Sequence, residues 1–479
     1  MRAARRAVPA AAVLLLLGGC TSFADTVAVP VAAPATTSPP PDDVDEGGCP
    51  AERARPDPDR PVVSLDFRLE DDRVTVTGTE TVEFTPDRRV DELVFRLVPN
   101  GPDSAPEGNR LVVDDVRGDD VAEGRYEDAA AADPGGLYVV SLEDDLDAGD
   151  STEVELDFTL TLGRGDFDRV GADDGVSWWA SGAPLLAWEP GVGWAEDSFV
   201  ELGGETATSP AMDTSVSVSA PEELTVLMTG ARAEPSAPRD GRRTWTSTEP
   251  VARDVGVAAG LFTTAQATTP DGVAVTVGVL PDAELPAEEL AQRTSAAITD
   301  LAAHVGAFPY KTLTVALLPD YGGGIEYPSM ILEATPSRLV LVHEVAHQWF
   351  YGMVGNSQFR DPWLDEAFAT WAEAVVDEQS AFGYEAALGI PGEVGGDMTD
   401  FPDDGTYFDV VYGKGGAALL AARAAAGPDA FDAAIRCYVD ATAWSVATPD
   451  DVYAALADLP GALTPLLDAQ ALGKDDVPR

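Results

Sequence analysis

The sequence predicts a multidomain fold, an antiparallel β-sandwich-like domain followed by an α+β domain, and three observations carry the expectation. From Val62 to about Phe262, short β-rich runs such as Val74-Thr75-Val76-Thr77 and Glu153-Val154-Glu155-Leu156-Asp157-Phe158 alternate with Gly, Pro and Asp turns. From about Thr263 onward, longer helical patterns take over, at Pro286 to His304, Ser337 to Tyr351, Pro362 to Phe382 and Lys414 to Ala426. The length, 479 residues, exceeds what one hydrophobic core normally organises. The boundaries read as 62–262 for the β domain and 263–479 for the α+β domain.

The first 61 residues belong to neither domain. Arg2, Arg5 and Arg6 precede an apolar run from Ala7 to Leu17, and Leu17-Gly18-Gly19-Cys20 resembles the lipobox of bacterial lipoproteins. The run is too short to span a bilayer, so residues 1–19 are expected to be a removed signal peptide. The resemblance implies that Cys20 becomes the lipidated first residue of an extracytoplasmic, membrane-anchored chain. Residues 20–61 are rich in Pro, Ala, Thr and Asp and read as a tether, which as a flexible coil of about 40 residues reaches roughly 35 Å. The remaining cysteines, Cys49 and Cys437, are candidates for a disulfide in an oxidising compartment.

Charge narrows the partners. The formal net charge is −53, with three lysines, Lys311, Lys414 and Lys474. Nucleic-acid binding needs a positive footprint and is therefore excluded as an expectation. The acidic residues are scattered, as on a solvated surface.

The chemistry concentrates in the α+β half. Two of the chain's three histidines, His343 and His347, flank Glu344 in an apolar run with Pro336 before it and Gly352 after it. On a helix, positions i and i+4 share a face, so both imidazoles can reach one metal ion. Hydrolytic zinc sites take three protein ligands and leave one position open. Glu366 is the candidate third ligand, 19 positions after His347, with Asp361 as an expected N-cap and Pro362 as the first helical residue. The competing reading is a histidine pair packed in a core. His304, ending an alanine-rich helix, is read as a capping or packing residue.

His343-Glu344-Val345-Ala346-His347, an 18-residue gap, and Trp363-Leu364-Asp365-Glu366-Ala367-Phe368-Ala369 together resemble the aminopeptidase N and leukotriene hydrolase family of gluzincin metallopeptidases. Gly322-Gly323-Gly324-Ile325-Glu326-Tyr327-Pro328 stands at the place of its exopeptidase motif, and Val411-Tyr412-Gly413-Lys414-Gly415 at the place of its catalytic tyrosine. The resemblance covers roughly residues 60 to 479 and is densest in the second half. It implies a thermolysin-like catalytic domain, one Zn2+ per chain on His343, His347 and Glu366, Glu344 as general base then acid, and Tyr412 as oxyanion donor. Gly323, Gly324 and Glu326 would bind substrate, with Glu326 receiving a free α-ammonium. Family members commonly carry Met and Asn where this chain has Ile325 and Tyr327. Glu373, seven positions after Glu366, could orient a ligating histidine from the second coordination layer. Too little chain follows for the large C-terminal helical domain of many relatives, which predicts a more open cleft.

The expected function is thus a zinc aminopeptidase acting on peptides outside the cytoplasm. Two alternatives stay open: an endopeptidase or an ester or epoxide hydrolase on the same zinc site, and a catalytically inactive surface-binding lipoprotein.

Overall fold

The computed structural model describes residues 52–473 except 166, 174, 205–206 and 378–383. The signal peptide, Cys20, Cys49 and the tether up to residue 51 lie outside the described residues. Cys437 is disulfide-bonded, while its expected partner is among the residues not described. The tether itself is shorter than expected. Arg53 pairs with Asp440 at 2.7 Å and donates to the Ala307 carbonyl, and Arg60 donates to the Pro250 carbonyl. Two arginines in so short a stretch tie residues 53–60 to the folded body; composition alone hid this.

Alternation builds the β domain. Val62–Leu69 and Thr152–Thr161 bury every second residue, which is the signature of strands with one face on a core. They belong to a seven-stranded sheet, ordered Ala231–Arg232, Arg242–Ala252, Met212–Pro221, Val62–Leu69, Thr75–Phe84, Thr152–Thr161, Arg110–Arg117. One pair departs from the antiparallel expectation, because Val62–Leu69 runs parallel to Met212–Pro221. Side chains from this sheet and two four-stranded sheets fill one core, around Phe67, Phe84, Phe158 and Trp179.

Pairing partners change after Gly260. Thr263–Thr268 opens a five-stranded mixed sheet ordered Thr263–Thr268, Ala274–Val279, Thr312–Leu317, Met330–Glu333, Gly324–Tyr327. The exopeptidase-like segment is therefore an edge strand, antiparallel to Met330–Glu333. Helices α1 (Ala287–Val305) and α2 (Arg338–Ala346) pack on this sheet, and α3 (Trp363–Val376) packs on both of them. After them come α4 (Tyr384–Ala387), α5 (Asp404–Tyr407), a π-helical turn at Phe408–Lys414, α6 (Gly415–Ala426), α7 (Pro428–Ala441), α8 (Pro449–Leu456) and α9 (Pro460–Asp468). Among the described residues no helix is long and apolar enough to cross a membrane.

Candidate active site

Helix α2 starts where Ser337 caps it, the hydroxyl accepting from the Val340 amide at 3.5 Å. Leu341, Val342, Val345 and Ala346 pin its apolar face to the core, which leaves His343, Glu344 and His347 aimed at the cleft side. The helix is shorter than the sequence suggested and ends at Ala346, with His347 as its C-cap. Helix α3 is buried over most of its length and brings Asp365 and Glu366 into its first turn, where the helix dipole favours negative charge. Pro362 rather than Asp361 is its N-cap, with no side-chain cap; the Leu364 and Glu366 amides bond instead to the carbonyls of Asp361 and Pro362.

The two helices bring three donor atoms together. His343 Nε2 and His347 Nε2 are 3.1 Å apart, and each is 3.3 Å from Glu366 Oε2. Tetrahedral coordination with bonds of ~2.0–2.1 Å sets ligand atoms about 3.3 Å apart, so this triangle is the size a zinc ion requires. Both outer nitrogens are occupied as well. His347 Nδ1 lies 2.6 Å from Asp365 Oδ1, and His343 Nδ1 lies 3.3 Å from Glu373 Oε2. A carboxylate on the far nitrogen orients the ring and leaves Nε2 free for metal.

The electrostatics ask for a cation. Five carboxyl groups, on Glu326, Glu344, Asp365, Glu366 and Glu373, surround two imidazoles, and all are at most 8% exposed. Burial alone would lower the His343 pKa, but its bonds to Glu366 and Glu373 push it up to about 10. Burial likewise opposes the charged form of His347, yet Glu326, Asp365 and Glu366 hold its pKa well above the usual value. Glu366, despite its burial, is held below the ordinary range by the two histidines. A divalent cation would take the place of the protons that this field draws onto the rings.

Around this centre stand the remaining expected residues. Glu344 is 4% exposed, and burial pushes its carboxyl up to about 8. Its side chain lies on Gly324, where a Cβ would come within 2.6 Å of Glu344 Cγ. Gly324 thus serves close approach of the base; a Cβ on Gly323 would meet open space. Glu326 is 5% exposed on the edge strand, its Oε1 is 3.9 Å from His347 Nδ1, and that oxygen has no hydrogen-bond partner. Tyr327 turns the other way, 2% exposed, with its hydroxyl 3.4 Å from Ser181 Oγ of the β domain. Tyr412 sits in the π-helical turn with its ring stacked on His343, and burial and the charge of Glu366 hold its phenol well above the usual range. π-Helical turns often mark functional positions. His304 lies away from the centre, 2.9 Å from Asp432.

Two acids escaped the sequence reading. Asp365 stands in the quoted motif beside Glu366 without an assigned role, although an acid in the first turn of an apolar helix is a usable signal. Glu333 ends an apolar strand and is 0% exposed; in a chain with 83 Asp and Glu residues its burial leaves no trace in composition.

Comparison with known proteins agrees with this geometry. Residues 327–388 match the Peptidase family M1 domain. The chain is 31% identical over 142 residues to an aminopeptidase N of Lactococcus lactis subsp. lactis, covering 26% of this chain and 17% of that protein. It is 28% identical over 179 residues to aminopeptidase N of Bos taurus, covering 32% and 18%. The matched segments thus span less than a fifth of these relatives. The crystal structure of an M1 zinc metallopeptidase from Deinococcus radiodurans superposes with a TM-score of 0.64 at 19% identity, over 88% of this chain and 95% of that one. A mutant of that enzyme bound to a Tyr-Ser-Ala substrate matches with the same score at 18% identity. Donor set and relatives together indicate zinc as the cofactor, and residues 327–388 are similar to the Peptidase family M1 domain that the aminopeptidase N relatives share.

Proposed function

We propose that this chain is a zinc aminopeptidase that removes N-terminal residues from peptides outside the cytoplasm. The observation that carries the reading is Glu326, a buried carboxylate with an unpartnered oxygen on an edge strand, placed beside both His347 and Glu344. A peptide can add to the edge strand through backbone hydrogen bonds. Its α-ammonium then meets Glu326, and an internal peptide bond, lacking that charge, would leave the carboxylate buried and unpaired.

Zinc, when bound, lowers the pKa of a water toward ~7 and polarises the scissile carbonyl. Glu344 takes the proton released from the attacking water and delivers it to the leaving amine. The Tyr412 phenol donates to the oxyanion as it forms. Asp365 and Glu373 hold the two imidazoles in the orientation these steps need. The lipobox-like Leu17-Gly18-Gly19-Cys20 supports a membrane-anchored, extracytoplasmic location; loss of fatty-acid labelling in Cys20→Ser would bear it out, and retained labelling would overturn it.

The test is hydrolysis of free and N-acetylated aminoacyl reporters by protein lacking residues 1–20, beside Glu344→Gln, with zinc measured on the same samples. Turnover of free reporters alone, lost in Glu344→Gln while zinc stays bound, is the expected result. Equal cleavage of acetylated reporters would move the assignment to an endopeptidase or esterase, and absence of both zinc and turnover would leave a binding lipoprotein.

A further inference from the structure

Among the described residues, Glu333 is a buried acid near the centre to which the mechanism gives no task. It ends the strand Met330–Glu333, is 0% exposed, and neither of its carboxyl oxygens has a hydrogen-bond partner. An unpaired charge there would be strongly disfavoured, and an unpaired neutral acid less so. The native state therefore requires an account of its proton.

The strand register says where this side chain points. Glu333 is directly opposite Gly324 in the antiparallel pair, and opposed residues project from the same face of a sheet. On that face, a Cβ at Gly324 would lie 2.6 Å from Cγ, 2.7 Å from Cδ and 2.8 Å from Oε1 of Glu344. Two residues along, on the same face, Glu326 is opposite Ile331, and Ile331 packs in the core cluster that holds Leu341 and Val345 of α2. Glu333 thus enters the layer between sheet and α2 next to Glu344. Glu344 Oε2 is itself buried without a partner. Among these neighbouring buried oxygens, Glu344 Oε2 can take the donor it lacks from one proton on Glu333.

We propose that Glu333 is a positioning residue, a neutral carboxylic acid behind Glu344 that donates a hydrogen bond to its inner oxygen and so fixes the rotamer of the general base. Burial pushes the Glu333 carboxyl well above the ordinary range, and the charge of Glu344 adds to the effect, which keeps the donor proton in place. The division of labour follows from charge and depth. Glu344 keeps one oxygen for substrate chemistry, and Glu333 holds the other. The role of Glu333 rests on Glu344 being the base of the reaction proposed above.

The test compares Glu333→Gln, which keeps a donor of similar shape, with Glu333→Leu, which removes it. In the folded, zinc-loaded protein at neutral pH, the infrared difference between wild type and Glu333→Gln should contain the carbonyl stretch of one protonated carboxyl. Glu333→Leu should lower kcat about 10–100-fold, the value of a hydrogen bond to a charged group, with KM and zinc content nearly unchanged. Glu333→Gln should restore most of kcat, as a purely space-filling role would not. Absence of the protonated-carboxyl signal, or full kcat in Glu333→Leu, would overturn the proposal. A wild type that cleaves no reporter while still showing the infrared signal would sink the peptidase reading, and the positioning role with it, but not the neutral acid.

Discussion

The ring of Tyr412 stacks on that of His343, with centroids 5.9 Å apart and planes inclined by 11°. The charge of Glu366 also acts on its phenol, so one side chain is coupled to two residues of the candidate metal triad. In the proposed reaction this phenol is the donor to the developing oxyanion. Tyr412→Phe should therefore lower kcat by roughly 10^2–10^3, the usual effect of losing one oxyanion donor, while zinc content is unchanged. Steady-state kinetics with metal analysis checks both, and zinc loss in this variant would assign Tyr412 a structural duty instead.

Zinc affinity should depend on the acids behind the histidines, and unequally. Asp365 is 1% exposed and 2.6 Å from His347, whereas Glu373 is 8% exposed and 3.3 Å from His343. Removal of such a partner typically weakens metal binding 10–100-fold. Asp365→Asn should fall toward the upper end and Glu373→Gln toward the lower end in competition titrations with a chelator. The reverse order would mean that Asp365 serves packing alone.

Glu326→Gln should erode selectivity more than rate. The carboxylate's partner is the substrate's ammonium, so the ratio of kcat/KM for free over N-acetylated reporters should drop at least tenfold. An unchanged ratio would show that some other group recognises the free amine. Tyr327 stands where relatives carry Asn and turns into the β-domain interface at Ser181. The substrate backbone is therefore expected to depend more on the edge strand itself than on a side-chain amide.

Much of this arrangement is legible in the sequence because the ligand motif couples helical spacing to chemistry. His343 and His347 must share a face, and a second helix must return Glu366. The β domain is equally open to inspection through alternation, as in Val62–Leu69. Strand Met330–Glu333 is hidden, since four buried residues carry no period and Glu333 looks like one more surface acid. The π-helical turn under Tyr412 leaves no pattern either, because its i→i+5 bonding is set by packing from neighbouring helices. Residues 53–60 read as linker since their side-chain contacts to distant partners are made by two isolated arginines.

Acid should weaken the helical end of the catalytic domain first. Asp432 has an 8% exposed side chain held by Arg423 at 2.6 and 2.9 Å and by His304 at 2.9 Å. Burial raises its pKa, but these partners outweigh it and hold the carboxyl at about 2. A folded pKa below the unfolded value of ~3.9 contributes stability above that value and loses it as pH falls through about 2. Asp432→Asn should thus be less stable than wild type by about 2 kcal/mol at pH 7, with the gap closing below about pH 4. Denaturant unfolding of both proteins in chelator measures it, and a gap independent of pH would refute the assignment.

Two glycines just after Tyr412, Gly415 and Gly416, let α6 approach α3. A Cβ on Gly415 would lie 2.6 Å from Ala367 Cβ, and one on Gly416 would lie 2.7 Å from Thr370 Cγ2, so α6 can approach α3 only without side chains there. Both contacts oppose backbone or short side chains that cannot swing away. Gly415→Ala should therefore push α6 off α3, destabilise the protein by about 1–3 kcal/mol, and carry Tyr412 away from Glu366. The expected result is a fall in kcat with zinc retained, because His343, His347 and Glu366 sit on α2 and α3. Ala367→Gly removes the opposing methyl, so the double variant should recover part of both stability and kcat in a mutant cycle. Strict additivity of the two changes would show that this contact does not set the tyrosine's place.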